Sequence, residues 1–387
     1  MKVGFNYQAW NTYGLQIGPY TGANDPTWDA ERDGLSGKRP PKFPLPPLFN
    51  NLSRNLSELR SIGISVVRWF LLGNGVVYGK AARRTVIQED GQPKTIWRFT
   101  PPLAIDPRFA FHFREMLSVF RTAKMQLIPS LVDYQLAGDS EAPDPNGLAY
   151  GGRADCIRMQ SVRSQFINGI LLDLVLVARE FKDVIYAVEV MNEPIWTLLP
   201  PVSDKLPIWD RAKKNLDKGN PVLRWPIVSA GELSDFLTEA ISVIKLNDLP
   251  STVGHRFYND LQFLPVGDLP QFHYYAKNLN ISGFSTGDPS TIPEFKGNPA
   301  PFLGEFASDK AHADQNQPWP DLGKSNTTLD RLKFLESKGC PLCLIWPDLD
   351  GKGLQDCSPL YPGGPTKCDP LKLHPETIAQ IKTYTGH

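Results

Sequence analysis

Two short stretches place an acid where an apolar strand ends. VEVMNEPIW, residues 188–196, is a run of β-formers that closes on Asn192, Glu193 and Pro194. PFLGEF, residues 301–306, carries Glu305 in the same kind of position. A strand-tip carboxyl either neutralises a neighbouring Arg or Lys or takes part in chemistry. One such Glu alone fits the first explanation; two, each at the tip of an apolar run, favour the second. If they face each other, one can protonate a departing oxygen while the other attacks carbon or activates water. That is the minimum equipment for cleaving a glycosidic bond.

Other run ends also carry groups that a plain packed core does not need. These are Arg68 in VVRWF, Asp133 and Tyr134 in SLVDYQ, His273 and Tyr275 in FHYYA, and Trp346 with Asp348 in LIWPDLD.

The elements that must position these residues repeat as a pattern: an apolar run, a loop, then an amphipathic stretch. Eight runs occur, at 3–9, 64–72, 126–132, 184–191, 252–255, 271–276, 301–306 and 342–346. Their nearly continuous apolar character suits parallel strands covered on both faces. Helical spacing predicts helices over 51–63, 106–125, 161–183, 232–248, 327–339 and 375–384, with a degenerate helix over 277–300. Eight alternations predict one (β/α)₈ TIM barrel spanning residues 1–387 as a single domain. The rival, an open doubly wound sheet, would want a glycine-rich first turn, and NTYGLQIGPYTG does not match GxGxxG. The long segments 10–50, 73–105 and 133–155 all follow strands, so they belong to the C-terminal face, where barrels bind their ligands. By strand alternation Glu189 points inward with Met191 and Glu193, and its depth makes it a buried partner of Arg68 rather than a reactant.

Taken together, VVRWF, VEVMNEP, HYYA and LGEF resemble the clan A glycoside hydrolases, most closely the family five cellulases and mannanases. STVG before His255 and Trp346 in the eighth run extend the resemblance over most of the chain. It implies a retaining double displacement with Glu193 as general acid and base and Glu305 as nucleophile. It also implies that Asn192 bonds the sugar 2-hydroxyl, that Tyr275 bonds Glu305, and that Arg68 sits beneath Glu305 and lowers its pKa. His273 would orient its neighbours, and Trp346 would present its face to the sugar ring. One departure stands out: family members carry a histidine near the end of the third strand, where this chain reads IPSLVDYQ. Asp133 or Tyr134 is expected to fill that space.

Composition excludes little but weighs against some partners. Lys plus Arg equals Asp plus Glu, 41 each, so there is no bulk attraction to nucleic acid or an anionic membrane. No uninterrupted run reaches the ~18 apolar residues that span a bilayer. Of five cysteines, Cys340 and Cys343 form a lone CxxC in an apolar run and read as packing; Cys357 and Cys368 could pair. Trp10 and Trp196 are the best placed tryptophans for a sugar platform, and His112 and His374 read as surface or helix-end residues. No metal or other cofactor is expected. The expected partner is a carbohydrate substrate. The rivals are a transglycosylase using the same two glutamates and a carbohydrate-binding barrel without catalysis. No apolar leader precedes the first run, so the expectation is a cytoplasmic protein, or a secreted one whose leader has been removed.

Overall fold

The computed structural model describes residues 1–7, 49–71, 82–87, 93–98, 107–137, 154–198, 228–276, 292–311, 317–323, 325–348 and 373–387. Eight parallel strands close into a barrel: β1 (Lys2–Tyr7), β2 (Val66–Phe70), β5 (Gln126–Asp133), β6 (Val188–Asn192), β7 (Ser251–His255), β8 (Gln271–Tyr274), β9 (Phe302–Ala307) and β10 (Leu342–Trp346). Each coincides with one of the eight apolar runs, and β10 pairs back onto β1 to leave no edge. The remaining two strands, β3 (Ala82–Ile87) and β4 (Pro93–Arg98), form an antiparallel hairpin. By sequence alone that segment reads as part of a long strand-end loop. Its alternation of polar residues around Gly91 and Pro93 lacks the apolar run of a two-sided buried strand.

Helices pack outside the barrel at Phe49–Ser61, Pro107–Ala123, Gln160–Arg179, Ala230–Leu246, Thr328–Ser337 and Pro375–Thr385, close to the expected spans. The described residues 292–300 are irregular rather than helical. Gln160–Arg179 is long and apolar enough to cross a membrane by length and composition, although charged residues interrupt it. Half of its apolar window is buried, with Phe166, Ile170 and Leu174 in the core. His112 lies buried on its helix rather than at the surface, because that face packs into the core. His374 does cap a helix, accepting from the Glu376 N–H. Helix-to-strand links are short, as between Ala123 and Gln126, whereas the long segments follow strand ends.

The barrel interior is layered. Val66, Ile128, Phe302, Leu342 and Leu344 form a compact apolar plug. Two residues beyond Val66 and Ile128 the inward positions turn polar, at Arg68 and Ser130, and neighbouring strands add further polar groups. Asn6, Arg68, Ser130, Glu189 and Gln271 are all fully buried there. Gly304 makes room for them: a Cβ on it would lie 2.2 Å from the Gln271 amide nitrogen.

Candidate active site

Glu305 owes its direction to an irregularity. Phe272 pairs with Leu303, but His273 pairs with Glu305, so β9 carries one extra residue at this point. The same slip appears against β10. A bulge of this kind re-aims side chains. Here Gly304 and Glu305 both lie against the interior, with Glu305 reaching Arg68 and Gly304 abutting Gln271.

A second irregularity lies in β6. Glu189 pairs with Thr252 and Asn192 with Gly254, three residues against two. Strict alternation would group 189, 191 and 193; instead Glu189 and Asn192 both meet Arg68. Glu193 then leaves the strand in the left-handed region, φ 45°, ψ 51°. That conformation costs a non-glycine residue about 1–2 kcal/mol. It is held by the Glu193 N–H donating to the Gly254 carbonyl at 2.7 Å and by Pro194 opening a short 3₁₀ turn.

Arg68 is the hub beneath the site. Its Nη1 donates to Glu305 Oε1 at 2.5 Å and to Asn6 Oδ1 at 3.0 Å. Its Nε and Nη2 grip Glu189 at 2.6 and 2.7 Å, and Nη2 also donates to Asn192 Oδ1 at 2.5 Å. Tyr275 donates its hydroxyl to the other Glu305 oxygen at 2.6 Å. Glu193 is held differently. Trp196, three residues on, donates its indole N–H to Oε2 at 2.6 Å, and His273 Nδ1 lies 2.9 Å from Oε1.

His273 links the two acids, since Nδ1 is also 3.4 Å from Glu305 Oε2. Burial drives the imidazole pKa down to about 3, so the ring is neutral. Its Nε2 faces the Gln271 amide nitrogen at 3.5 Å, a group that donates to Glu189. Nε2 therefore accepts, and the single ring proton sits on Nδ1, between the two carboxyls.

Burial is the largest influence on both acids and raises both above the ordinary glutamate value. The sequence reading expected Arg68 to lower Glu305. Its charge does act in that direction, but burial outweighs it, and the charge of Glu193 adds to the rise. Arg256 is the largest opposing influence on Glu193. Tyr275 is pushed well above its usual range by burial and by the Glu305 charge, so it remains a donor. Glu189 is also desolvated, yet the charge and hydrogen bonds of Arg68 hold it below the usual value.

The other expected contacts divide. Asp133 is fully buried and accepts from Asn192 Nδ2 at 2.7 Å. It joins the site through this bond to Asn192. Trp346 is 6% exposed and lies edge-on to Phe70, which in turn lies under Arg68. Trp196, expected as a sugar platform, donates its indole N–H to Glu193. Asp348 accepts from Ser308 and from the His374 N–H, tying the terminal helix to the barrel. Trp10, Cys357 and Cys368 lie outside the described residues. Cys340 and Cys343 are buried free thiols, their pKa values raised by burial, that of Cys340 to about 12.

Sequence reasoning missed Arg256, Gln271, Ser130 and Asn6. Each left a faint signal: a polar residue inside an apolar run, or a cation one position past a strand tip. Among the described residues, Glu193, His273 and Glu305 could hold a cation by geometry, their ligand atoms lying within 4.8 Å of one another. Arg68 and Arg256 already supply positive charge there, and we assign no metal.

A parallel eight-stranded barrel with two acids at one mouth defines the class of fold and site. Solved structures share this fold. The β-mannanase of the blue mussel Mytilus edulis superposes with a TM-score of 0.51 at 14% identity, over 87% of this chain and 85% of that one. The β-1,4-D-mannanase of Cryptopygus antarcticus gives 0.51 at 15%, over 88% and 84%. The endo-1,4-β-mannanase of Eisenia fetida gives 0.51 at 16%, over 88% and 83%. The likeness establishes the fold, which is the one the motif resemblance implied. No family model matches the chain, and no curated protein matches it by sequence.

Proposed function

We propose that this protein is a retaining glycoside hydrolase that cleaves a β-linked oligo- or polysaccharide, with Glu305 as nucleophile and Glu193 as general acid and base. One observation carries the reading: carboxylate oxygens of Glu193 and Glu305 lie within 4.8 Å at one mouth of the barrel. A retaining pair stands about 5–5.5 Å apart, whereas an inverting pair needs about 6.5–9.5 Å to admit a water.

In the first step the Glu305 carboxylate, bonded by Arg68 and Tyr275, attacks the anomeric carbon. The bond from that carbon to the leaving oxygen breaks, and Glu193 gives that oxygen its proton. Burial favours the protonated Glu193 this step requires. In the second step anionic Glu193 takes a proton from water, the water oxygen bonds to the anomeric carbon, and Glu305 departs with its electron pair. Negative charge thus passes from Glu305 to Glu193, and the Nδ1 proton of His273 stands between both.

Asn192 has its carbonyl oxygen on Arg68 and one amide hydrogen on Asp133. Its second amide hydrogen remains for the sugar 2-hydroxyl, a contact that strengthens in the transition state. The shared fold with β-mannanases makes β-1,4-linked mannan the first polymer to try.

The test is proton NMR of the first-formed product from a panel of defined β-linked substrates. A β product supports the reading; an α product overturns retention. Excess acceptor sugar separates hydrolysis from transfer. Sugar binding without turnover would favour the non-catalytic barrel.

A further inference from the structure

Glu193 and Glu305 face opposite demands, and their cations sit at different distances. Glu305 must be ionised when substrate arrives, and Arg68 touches it at 2.5 Å. Glu193 must be protonated in one step and anionic in the next. Its cation, Arg256, lies one residue beyond β7, with Nε 3.7 Å from Glu193 Oε1. That is outside hydrogen-bonding range but well inside the range of strong charge interaction.

We propose that Arg256 is the positioning residue that lets Glu193 shed and regain its proton, acting as a stand-off charge rather than a bonded partner. The inference rests on the acid–base role given to Glu193 above. A bonded guanidinium would hold the anion too firmly for proton donation. No cation at all would leave a desolvated carboxyl that resists ionising in the second step. The stand-off is built into the packing. Arg256 is 5% exposed, its guanidinium lies 4.5 Å from the Phe257 ring centroid and 5.1 Å from that of Tyr275. Phe257 is in turn packed edge-on by Trp196, the indole that donates to Glu193.

Among the described residues, the other groups facing Glu193 do not supply this charge. Arg68 comes from β2 but is taken up by Glu189, Glu305 and Asn192. Glu189 on β6 and Glu305 on β9 are acids and oppose ionisation. His273 on β8 and Tyr275 just past it are held neutral, mainly by burial. Trp196 is a neutral donor. Arg256 is accordingly the largest charge influence on Glu193 that favours its anion.

The experiment compares the unaltered protein with Arg256→Met, Arg256→Gln and Arg256→Lys. Met keeps the stem over Phe257 and removes the charge; Gln serves if Met fails to fold. The primary readout needs no substrate: carbon-13 NMR titration of glutamate carboxyls, with Glu193 assigned by Glu193→Gln. Glu193 should titrate at higher pH in the Met or Gln variant and return most of the way in the Lys variant. Two limbs should move upward in the uncharged variants, the first read on an aryl glycoside with a poor leaving group and the second on one with a good leaving group. These are the alkaline limb of kcat/KM, where Glu193 must be protonated, and the acidic limb of kcat, where it must be ionised. At mildly acidic pH kcat should fall roughly tenfold, part of the 10²–10⁴ that a positioned acid–base group supplies. A folded uncharged variant with an unmoved Glu193 titration overturns the inference, as does a Lys variant no better than Met. Failure of the glycosidase reading would appear separately, as absent turnover in the unaltered protein.

Discussion

The guanidinium of Arg68 joins two glutamates, Nε at 2.6 Å from Glu189 and Nη1 at 2.5 Å from Glu305. Glu189 lies deeper, fully buried, and also takes bonds from Ser130 and Gln271. It anchors Arg68, and Arg68 presents what remains of its charge upward to Glu305. The order of residues along the barrel axis therefore separates an acid that holds Arg68 from the acid proposed as nucleophile.

Removing the charge of Arg68 should change both activity and its pH dependence. Arg68 favours the Glu305 anion, so Arg68→Met raises the Glu305 pKa further. The acidic limb of kcat/KM, which requires ionised Glu305, should move to higher pH, with a loss of about 10²-fold or more. Rate profiles on an aryl glycoside measure this. An unmoved limb in a folded variant would remove Arg68 from that role.

The anchor should be visible in stability. Glu189 is held below its ordinary value of 4.5, so its contribution is whole above that pH and is lost as pH falls through the lowered folded value. Glu189→Gln leaves Arg68 short of a buried counter-charge and should cost about 3–5 kcal/mol at neutral pH. The deficit should shrink as the unaltered protein is acidified below pH 4.5, because acid removes the same charge there. Urea unfolding midpoints across pH 3–7 give the comparison. A deficit that stays constant with pH would deny Glu189 this role.

Most of the barrel was legible because strands buried on both faces must be apolar end to end. Runs such as VVRWF and LCLIW announce themselves, and polar tips on such runs mark the mouth. The hairpin of β3 and β4 was not legible, since a two-stranded ribbon needs no apolar run and ARRTVI has none. Nor were the irregularities at Gly304–Glu305 and before Asn192, because a bulge is a matter of pairing between strands far apart in sequence. Alternation alone therefore grouped Met191 with Glu189, when Asn192 is the residue that shares Arg68. The sign of the Glu305 shift was missed for a related reason: a sequence reveals the counter-charge but not the depth of burial that outweighs it.

Asn192 offers a sharper test than loss of activity alone. Its free amide hydrogen is assigned to the sugar 2-hydroxyl, and Asp133 fixes the amide that presents it. Asn192→Ala should lower kcat/KM by about 10²–10³-fold, a few kcal/mol of transition-state binding. A 2-deoxy substrate should suffer a similar loss with the unaltered protein and little further loss with the variant. Asp133→Leu should reproduce part of the effect. Independent, additive losses would show that Asn192 acts elsewhere.

The last prediction divides the labour between the two acids. An aryl glycoside with a good leaving group hardly needs its departing oxygen protonated. Glu193→Ala should therefore spare the first step on such a substrate and slow the second by about 10²–10⁴-fold, because water loses its base. A covalent sugar on Glu305 should accumulate and be visible by intact mass spectrometry. Azide, which needs no base, should restore turnover and give the β-glycosyl azide. The cavity left by the shortened side chain lies beside His273 and Trp196, which gives a small anion two donors to approach. Glu305→Ala should abolish both steps and trap nothing, with azide giving an α product if it rescues at all. The distinction follows from geometry: Glu305 is 4% exposed and pinned by Arg68 and Tyr275, whereas Glu193 keeps 13% exposure at the open side. An adduct that builds up in Glu305→Ala and not in Glu193→Ala would reverse the two roles.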